Sequence, residues 1–194
     1  TYDNENRLIR TVHPDGSLTR TTYNAFGKEA SRVDALDRET TYAYDNRGNL
    51  VLTTYPDASS ESSSYDEEGR RVASTDRMSR TTEYVYDALG RLTDTIHPDG
   101  AMGSSEYDEL GRVVTSVDAR GSATYYEYDP YCGCSGRRSK VIDPLGNETL
   151  FNYDENGNML SMSDANGHTF QYTDDANNRQ TVVTFHDGTT KLTA

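Results

Sequence analysis

The chain has 194 residues, of which only 33% are apolar, with no Trp and 15 Tyr, and its formal net charge is −13. This composition excludes a thick globular core, while regularly spaced Tyr, Val, Leu and Thr exclude disorder, so an ordered and thin sheet-like structure is predicted. The acidic charge argues against a nucleic-acid partner, because binding to phosphates needs clustered Lys and Arg. No apolar run approaches the roughly 20 residues of a transmembrane helix, so membrane insertion is not expected either.

A Tyr followed by Asp or Asn recurs at a constant interval from the start of the chain. Seven such pairs keep strict register, at Tyr2, Tyr23, Tyr44, Tyr65, Tyr86, Tyr107 and Tyr128. The next, Tyr153, is displaced by four positions, which indicates an insertion near 130–135, and Asp174 holds the Tyr position one repeat later. Nine copies of one unit predict a single repeat array over residues 1–194, with no separate second domain.

Each motif Tyr is followed by a four-residue turn. Asp at the first position can accept hydrogen bonds from turn N–H groups and Gly at the fourth adopts positive φ, which is typical of a type I turn with a G1 bulge. Asn6 and Asn178 replace Gly, and Asn also tolerates this conformation. Together with the Tyr residues, the predicted structural motif consists of Asp3, Asp45, Gly48, Asp66, Gly69, Asp87, Gly90, Arg91, Asp108, Gly111, Arg112, Asp129, Asp154, Gly157, Asp175 and Asn178.

A second turn lies half a repeat after the first, and its two forms alternate. A Pro-Asp form is found at 13–16, 55–58 and 97–100, and a form that begins with Asp at 34–37, 76–79 and 118–121. Each unit therefore reads as strand, turn, strand, turn, with strands of about 6 to 7 residues. Two positions before the motif Tyr, small residues accompany the Pro-Asp form and aromatic residues the other form, which indicates a structural period of two hairpins.

Alternation along the strands predicts their two faces. Tyr84 and Tyr86 are placed on one side of their strand, and Leu92, Asp94 and Ile96 together on one side of the next. Stacked hairpins are then expected to align Tyr with Tyr, at roughly 0.2–1 kcal/mol for each cross-strand pair. Ladders of this kind can sustain a sheet that has no conventional core.

The unit from Tyr84 to Thr93, with its Tyr-Asp pair, Gly90 and Arg91, resembles the YD repeat of RHS proteins, which is also found in Tc-toxin B and C subunits and in teneurins. The resemblance covers nearly the whole chain. It implies an all-β fold of repetitive antiparallel hairpins, about 18 strands, in a curved or spiralling sheet of the RHS-shell type. In toxins of this family the shell encloses a cleaved effector, and in teneurins it belongs to an adhesion receptor. The self-protease core domain of the toxins has no counterpart in this sequence.

The resemblance implies a non-catalytic structural segment of a secreted, extracellular or cell-surface shell, whose parent encapsulates a toxin effector or presents an adhesive surface. About 18 strands at ~4.8 Å close into a ring only about 27 Å across, which is narrower than a cargo domain roughly 34 Å wide. The expected partners are therefore the rest of a longer shell or copies of the chain itself, with an encapsulated polypeptide or a surface glycan. The alternatives are a self-assembling surface or filament protein and, more weakly, a carbohydrate-binding module.

Several side chains admit a functional or a structural interpretation. The Asp-rich turns could bind Ca²⁺, but one or two carboxylates in each loop favour turn capping, and no metal, cofactor or catalytic site is expected. Recurrent basic residues are predicted to pair with carboxylates of adjacent hairpins rather than to form a ligand-facing stripe. These basic residues are Arg7, Lys28, Arg70, Arg91, Arg112, Arg137 and Arg179.

Three further groups remain open. His13, His97 and His186 are expected to be solvated turn residues rather than metal ligands or pH sensors. Cys132 and Cys134 fall in the insertion, where a loop without catalytic function is favoured over an intermolecular disulfide or a redox role. The Tyr ladder could stack against sugars, although packing of the Tyr rings on one another is favoured.

Overall fold

The computed structural model describes residues 1–129 and 136–192. Within these ranges the chain forms eighteen β-strands and no helix, as the predicted all-β hairpin fold requires. Most strands have five or six residues, slightly fewer than predicted. The residues that flank each turn make hydrogen bonds of the turn and therefore do not belong to the strands. The strands are β1 (Arg10–Val12), β2 (Leu18–Tyr23), β3 (Glu29–Val33), β4 (Glu39–Tyr44), β5 (Leu50–Thr54), β6 (Ser60–Tyr65), β7 (Arg71–Thr75), β8 (Thr81–Tyr86), β9 (Leu92–Ile96), β10 (Met102–Tyr107), β11 (Val113–Val117), β12 (Ala123–Tyr128), β13 (Arg138–Ile142), β14 (Glu148–Tyr153), β15 (Met159–Ser163), β16 (Thr169–Asp174), β17 (Gln180–Thr184) and β18 (Thr190–Leu192).

The strands belong to two compact units, Thr1–Gly100 and Ala101–Ala194. In the first unit each strand from β1 to β9 pairs antiparallel with the next along the chain. In the second unit the same is true from β10 to β18. Each unit is thus a meander of hairpins, and its two margins are rows of turns: one row of motif turns and one row of second turns.

The hairpins that contain motif turns carry an extra residue in their second strand. In the hairpin of β8 and β9, Tyr86 lies opposite Leu92, whereas Val85 lies opposite Asp94. Opposed residues of an antiparallel pair share a face, so Leu92 lies on the face of Tyr86 and Asp94 on the other face. The predicted grouping of Leu92 with Asp94 is therefore wrong, because a bulge interrupts the alternation. The same shift recurs in the other hairpins of this type.

The sheet has no conventional core within the part of the chain that the structure describes. No apolar side chain there is buried, whereas the polar Ser31 and Thr53 are only 8% and 9% exposed. Stabilisation therefore comes from contacts between neighbouring hairpins, as expected for a repeat array. No apolar helix of membrane-spanning length is found among the described residues.

Candidate functional site

The motif turn is built around its first Asp. In the turn that follows β8, the Asp87 N–H donates to the Arg91 carbonyl at 3.0 Å, and the Gly90 N–H donates to the Asp87 carbonyl at 2.9 Å. The Asp87 carboxylate oxygen Oδ1 accepts the N–H groups of Leu89 and Arg91 at 2.9 and 3.0 Å. The side chain thus completes the turn, as predicted, because it satisfies N–H groups that no strand pairs.

The fourth position of each turn adopts the left-handed conformation. The Gly residues of the described motif turns have φ between 75° and 86°, and Asn6 and Asn178 follow with φ of 62° and 58°. Both substitutions by Asn therefore keep the predicted geometry. Second turns reach the same conformation without Gly at Asp37, Ala58 and Ser79.

A basic side chain five residues after the motif Tyr binds the Asp of its own turn. Arg70 Nε lies 2.6 Å from Asp66 Oδ2. For five of the seven basic residues, the prediction that they pair with carboxylates of adjacent hairpins is wrong, because the turn brings residues i and i+4 together. The same pair is formed by Arg7 and Asp3, Arg91 and Asp87, Arg112 and Asp108, and Arg179 and Asp175.

The same basic side chains reach the next repeat through its aromatic ring. The Arg70 guanidinium lies 5.0 Å from the ring centroid of Tyr86, a cation–π distance. Each of these Tyr rings therefore packs against a basic side chain, whereas the sequence predicted packing of Tyr rings on one another. The equivalent pairs are Arg7 with Tyr23, Lys28 with Tyr44, Arg112 with Tyr128 and Arg137 with Tyr153, at 4.4 to 5.2 Å.

The motif Tyr hydroxyl makes a second connection to the preceding repeat. Tyr86 Oη donates to the carbonyl of Arg71 at 2.9 Å. Tyr23, Tyr65 and Tyr128 donate in the same way to Leu8, Leu50 and Val113, at 2.7 to 3.2 Å. We call this set of Asp, basic and Tyr side chains along the motif turns the turn ladder.

The turn ladder lowers the pKa of its carboxyl groups. The backbone N–H of Arg91 is the main cause of the lowered pKa of Asp87. At Asp66, desolvation by burial raises the pKa, but hydrogen bonds from the Arg70 side chain and backbone outweigh it and the net direction is downward. These carboxylates are therefore ionised at neutral pH and engaged in the turns. In the ranges that the structure describes, no three His, Cys, Asp or Glu side chains are grouped to hold a metal ion.

Two further predicted motif residues lie at the start of the ladder and beside the insertion. Tyr2 forms an isolated bridge with Leu8, and the Asp129 N–H donates to the Arg137 carbonyl at 3.1 Å. The insertion at 130–135, with Cys132 and Cys134, lies outside the described residues.

Two clusters at the row of second turns were not predicted. His186 is exposed, as expected for a turn residue, but its ring stacks on His168 at a centroid distance of 4.0 Å. His168 Nδ1 in turn lies 3.1 Å from Asp164. In the first unit, Arg77 lies 4.3 Å from the ring centroid of Tyr55. In the sequence, these residues could have been recognised because they differ from the residues at equivalent positions of other repeats.

Solved structures resemble this arrangement over nearly the whole chain. The fold is similar to the crystal structure of TcdB2-TccC3, with a TM-score of 0.65, 15% identity, and coverage of 93% of this chain and 12% of that one. It is also similar to TcdB2-TccC3 without the hypervariable C-terminal region, with a TM-score of 0.53, 16% identity, and coverage of 99% and 11%. A Photorhabdus luminescens Tc holotoxin pore with a mutated TccC3 gives a TM-score of 0.50, 20% identity, and coverage of 89% and 9%.

The chain thus spans about a tenth of the length of these proteins, and identities this low show likeness of fold alone. No protein with a curated function matches the chain in sequence. The profile of the teneurin YD-shell family, in contrast, matches residues 1–193. This match confirms the YD-repeat and RHS-type shell that the sequence predicted, and the chain belongs to the teneurin YD-shell family.

Proposed function

We propose that the chain is a non-catalytic structural segment of an extracellular YD-repeat shell and that its nine repeats act as a single array. The observation that carries the proposal is the turn ladder. Its Asp, basic and Tyr side chains are the ionisable groups that recur in the repeat; the Asp and basic side chains pair within each turn, and the Tyr side chains link neighbouring hairpins. Side chains engaged in this way stabilise a scaffold and do not serve as free acids, bases or nucleophiles.

The shell to which the segment belongs is longer than the chain. The chain covers only 9 to 12% of the similar proteins, and a ring of about 18 strands is too narrow for a folded cargo domain. The proposed partners are the rest of this shell and a polypeptide that the complete shell encloses, or a cell surface to which it adheres.

The size of the chain in solution tests the segment proposal against self-assembly. We expect light scattering over a concentration series to report a monomer, and negative-stain images to show single compact particles. Ordered polymers with a regular axial repeat would overturn this expectation and support edge-to-edge pairing of strands between chains.

Limited proteolysis of the intact parent protein tests enclosure. An enclosed polypeptide is expected to be cut only after denaturant opens the shell, because the protease cannot cross the sheet. Cleavage at the same rate before and after opening would contradict enclosure and leave the adhesive surface as the proposed role.

A further inference from the structure

In a repeat protein, residues that recur in every unit build the scaffold, so departures that cluster in space indicate a local function. The compact unit Thr1–Gly100 contains three such departures from the repeat, at Arg32, Tyr55 and Arg77. Positions equivalent to Arg32 carry Ser or Thr at 11, 53, 74, 95 and 116. Positions equivalent to Tyr55 carry His or Asp at 13, 34, 76, 97 and 118, and those equivalent to Arg77 carry Ala or Pro at 14, 35, 56, 98 and 119.

These three departures meet in one groove along the row of second turns. The groove has a volume of about 410 Å³. Three arginines, two aspartates and a tyrosine contribute most of its polar and aromatic surface, namely Arg32, Arg38, Arg77, Asp34, Asp57 and Tyr55. Three guanidinium groups in one groove are notable in a chain whose net charge is −13.

Arg77 lies in the turn that follows β7 and contacts both Asp57 and Tyr55 of the groove. Its Nη2 lies 2.6 Å from Asp57 Oδ2, and its Nε donates to the Ser59 hydroxyl at 2.8 Å. Its guanidinium also lies 4.3 Å from the ring centroid of Tyr55, whose hydroxyl donates to Glu61 at 2.9 Å. The aromatic ring is therefore held in place from two sides.

Arg32 and Arg38 supply accessible donors beside this ring. Both side chains are 61% exposed, although Arg32 pairs with Glu29 and Arg38 with Asp34. A guanidinium carries five N–H donors in a fixed fork that matches a carboxylate. Each of the two groups uses Nε and one Nη2 donor within the described residues, so donors remain for a ligand.

The mixture of charges selects the class of ligand. Guanidinium donors favour a carboxylate, while the neighbouring Asp34 and Asp57 carboxylates accept hydroxyl groups and repel a phosphate-rich polymer. The Tyr55 ring offers an apolar surface for the C–H groups of a sugar. We propose that this groove binds a saccharide that bears a carboxylate, as a uronic acid does, which adds a recognition function to the structural one.

Trigalacturonic acid is a suitable probe, with its fully methyl-esterified form as the uncharged counterpart. We expect calorimetric titration of the chain to give saturable binding at least tenfold tighter for the acid than for the ester. Amide resonances of residues 34–40 and 55–59 are expected to shift during the titration. Absence of saturable binding at roughly millimolar concentrations of the acid, or equal binding of the ester, would overturn the proposal.

Variants locate the site. Arg38→Gln and Arg32→Gln are each expected to weaken binding of trigalacturonic acid at least tenfold. Arg80→Gln is the matched control, because Arg80 is also 61% exposed and pairs with Asp76 at 2.7 Å within an equivalent turn, but does not line the groove. Its affinity should stay within twofold of the unmodified chain, with unchanged circular dichroism for all variants. Equal losses in Arg80→Gln and Arg38→Gln would show only a nonspecific effect of charge and would overturn the proposal.

Discussion

Gly90, at the fourth position of its motif turn, is favoured for two separate reasons. The first is its positive φ, which is 81° at Gly69 and 80° at Gly90. The second is space for the basic side chain of the preceding repeat. A Cβ atom at Gly90 would lie 3.1 Å from Arg70 Nη1, whereas a Cβ at Gly69 would meet nothing within 4 Å.

These two requirements can be separated by substitution with Ala. Gly69→Ala is expected to cost about 1–2 kcal/mol in the free energy of unfolding, because a residue with a Cβ is strained in the left-handed conformation. Gly90→Ala is expected to cost more, because its Cβ also presses on the Arg70 guanidinium that lies over the Tyr86 ring. Urea denaturation of both variants measures the difference, and equal losses would show that the contact with Arg70 contributes nothing.

The motif Tyr hydroxyl gives a second prediction at this scale. Tyr86→Phe removes the hydrogen bond to the Arg71 carbonyl and keeps the ring, so we expect a loss of about 0.5–1.5 kcal/mol in the free energy of unfolding. Tyr84→Phe is the control, because the Tyr84 hydroxyl has no hydrogen-bond partner among the described residues. Chemical denaturation should leave Tyr84→Phe unchanged within about 0.5 kcal/mol, and an equal loss there would contradict the assignment.

At the scale of the element, the turn and its carboxylate form one electrostatic unit. Asp3, Asp34, Asp45 and Asp87 all have pKa values below the ordinary value, mainly through hydrogen bonds from the backbone or from the i+4 side chain. A carboxyl group whose pKa is lower in the folded state stabilises that state when it is ionised. The stability of the hairpins therefore depends on the ionisation of the Asp side chains in their turns.

This dependence predicts acid sensitivity. The stabilisation should be fully present above the pKa of the unfolded Asp, about 3.9, and should disappear as the pH falls through the lower pKa of the folded state. We expect the melting temperature, followed by circular dichroism, to be constant between about pH 5 and 7 and to fall steeply below about pH 4. A melting temperature that stays constant down to pH 2 would contradict this.

Asp66→Asn serves as the matched control. Asn can accept the same backbone N–H groups, as Asn24 does in its own motif turn with Phe26 and Lys28, but it cannot titrate. The variant should melt at a lower temperature than the unmodified chain at pH 7, since it loses the ion pair with Arg70. On acidification, its melting temperature should fall by less than that of the unmodified chain.

At the scale of the whole molecule, the absence of a buried apolar side chain among the described residues makes stability a property of neighbouring hairpins. A globular core couples distant segments, because they share buried contacts. In a repeat array each unit contacts only its neighbours, so a local lesion stays local. The organisation of residues 1–194 as a single array remains a prediction from the nine copies of the repeat.

Thr53→Pro tests this locality. Proline removes a backbone hydrogen-bond donor from β5, which is paired on both sides and in which proline is therefore disfavoured, so hydrogen exchange should accelerate in β4, β5 and β6. Protection of β16 and β17 in the second unit should be retained. Ala35→Pro is the control, because Pro14 and Pro56 occupy the equivalent turn position, and it should leave exchange unchanged. Uniform loss of protection along the chain in Thr53→Pro would indicate a single cooperative core instead.

The sequence by itself determined the turns and the number of hairpins. The physical reason is that a turn is a local object: an Asp and a residue that tolerates positive φ, three positions apart, contain all the information it needs. The all-β hairpin fold followed directly, because short turns between alternating segments leave few other topologies.

Only the tertiary structure decided which side chains meet. The bulge that places Leu92 opposite Tyr86 depends on hydrogen-bond register between strands, which alternation along one strand does not encode. Arg32, Tyr55 and Arg77 come from three successive repeat units and meet in one groove, because stacking of the units places successive turns side by side. Arg70 likewise contacts Asp66 of its own turn and Tyr86 of the next repeat. The first contact depends on the curvature of the turn, and the second depends on the stacking of hairpins.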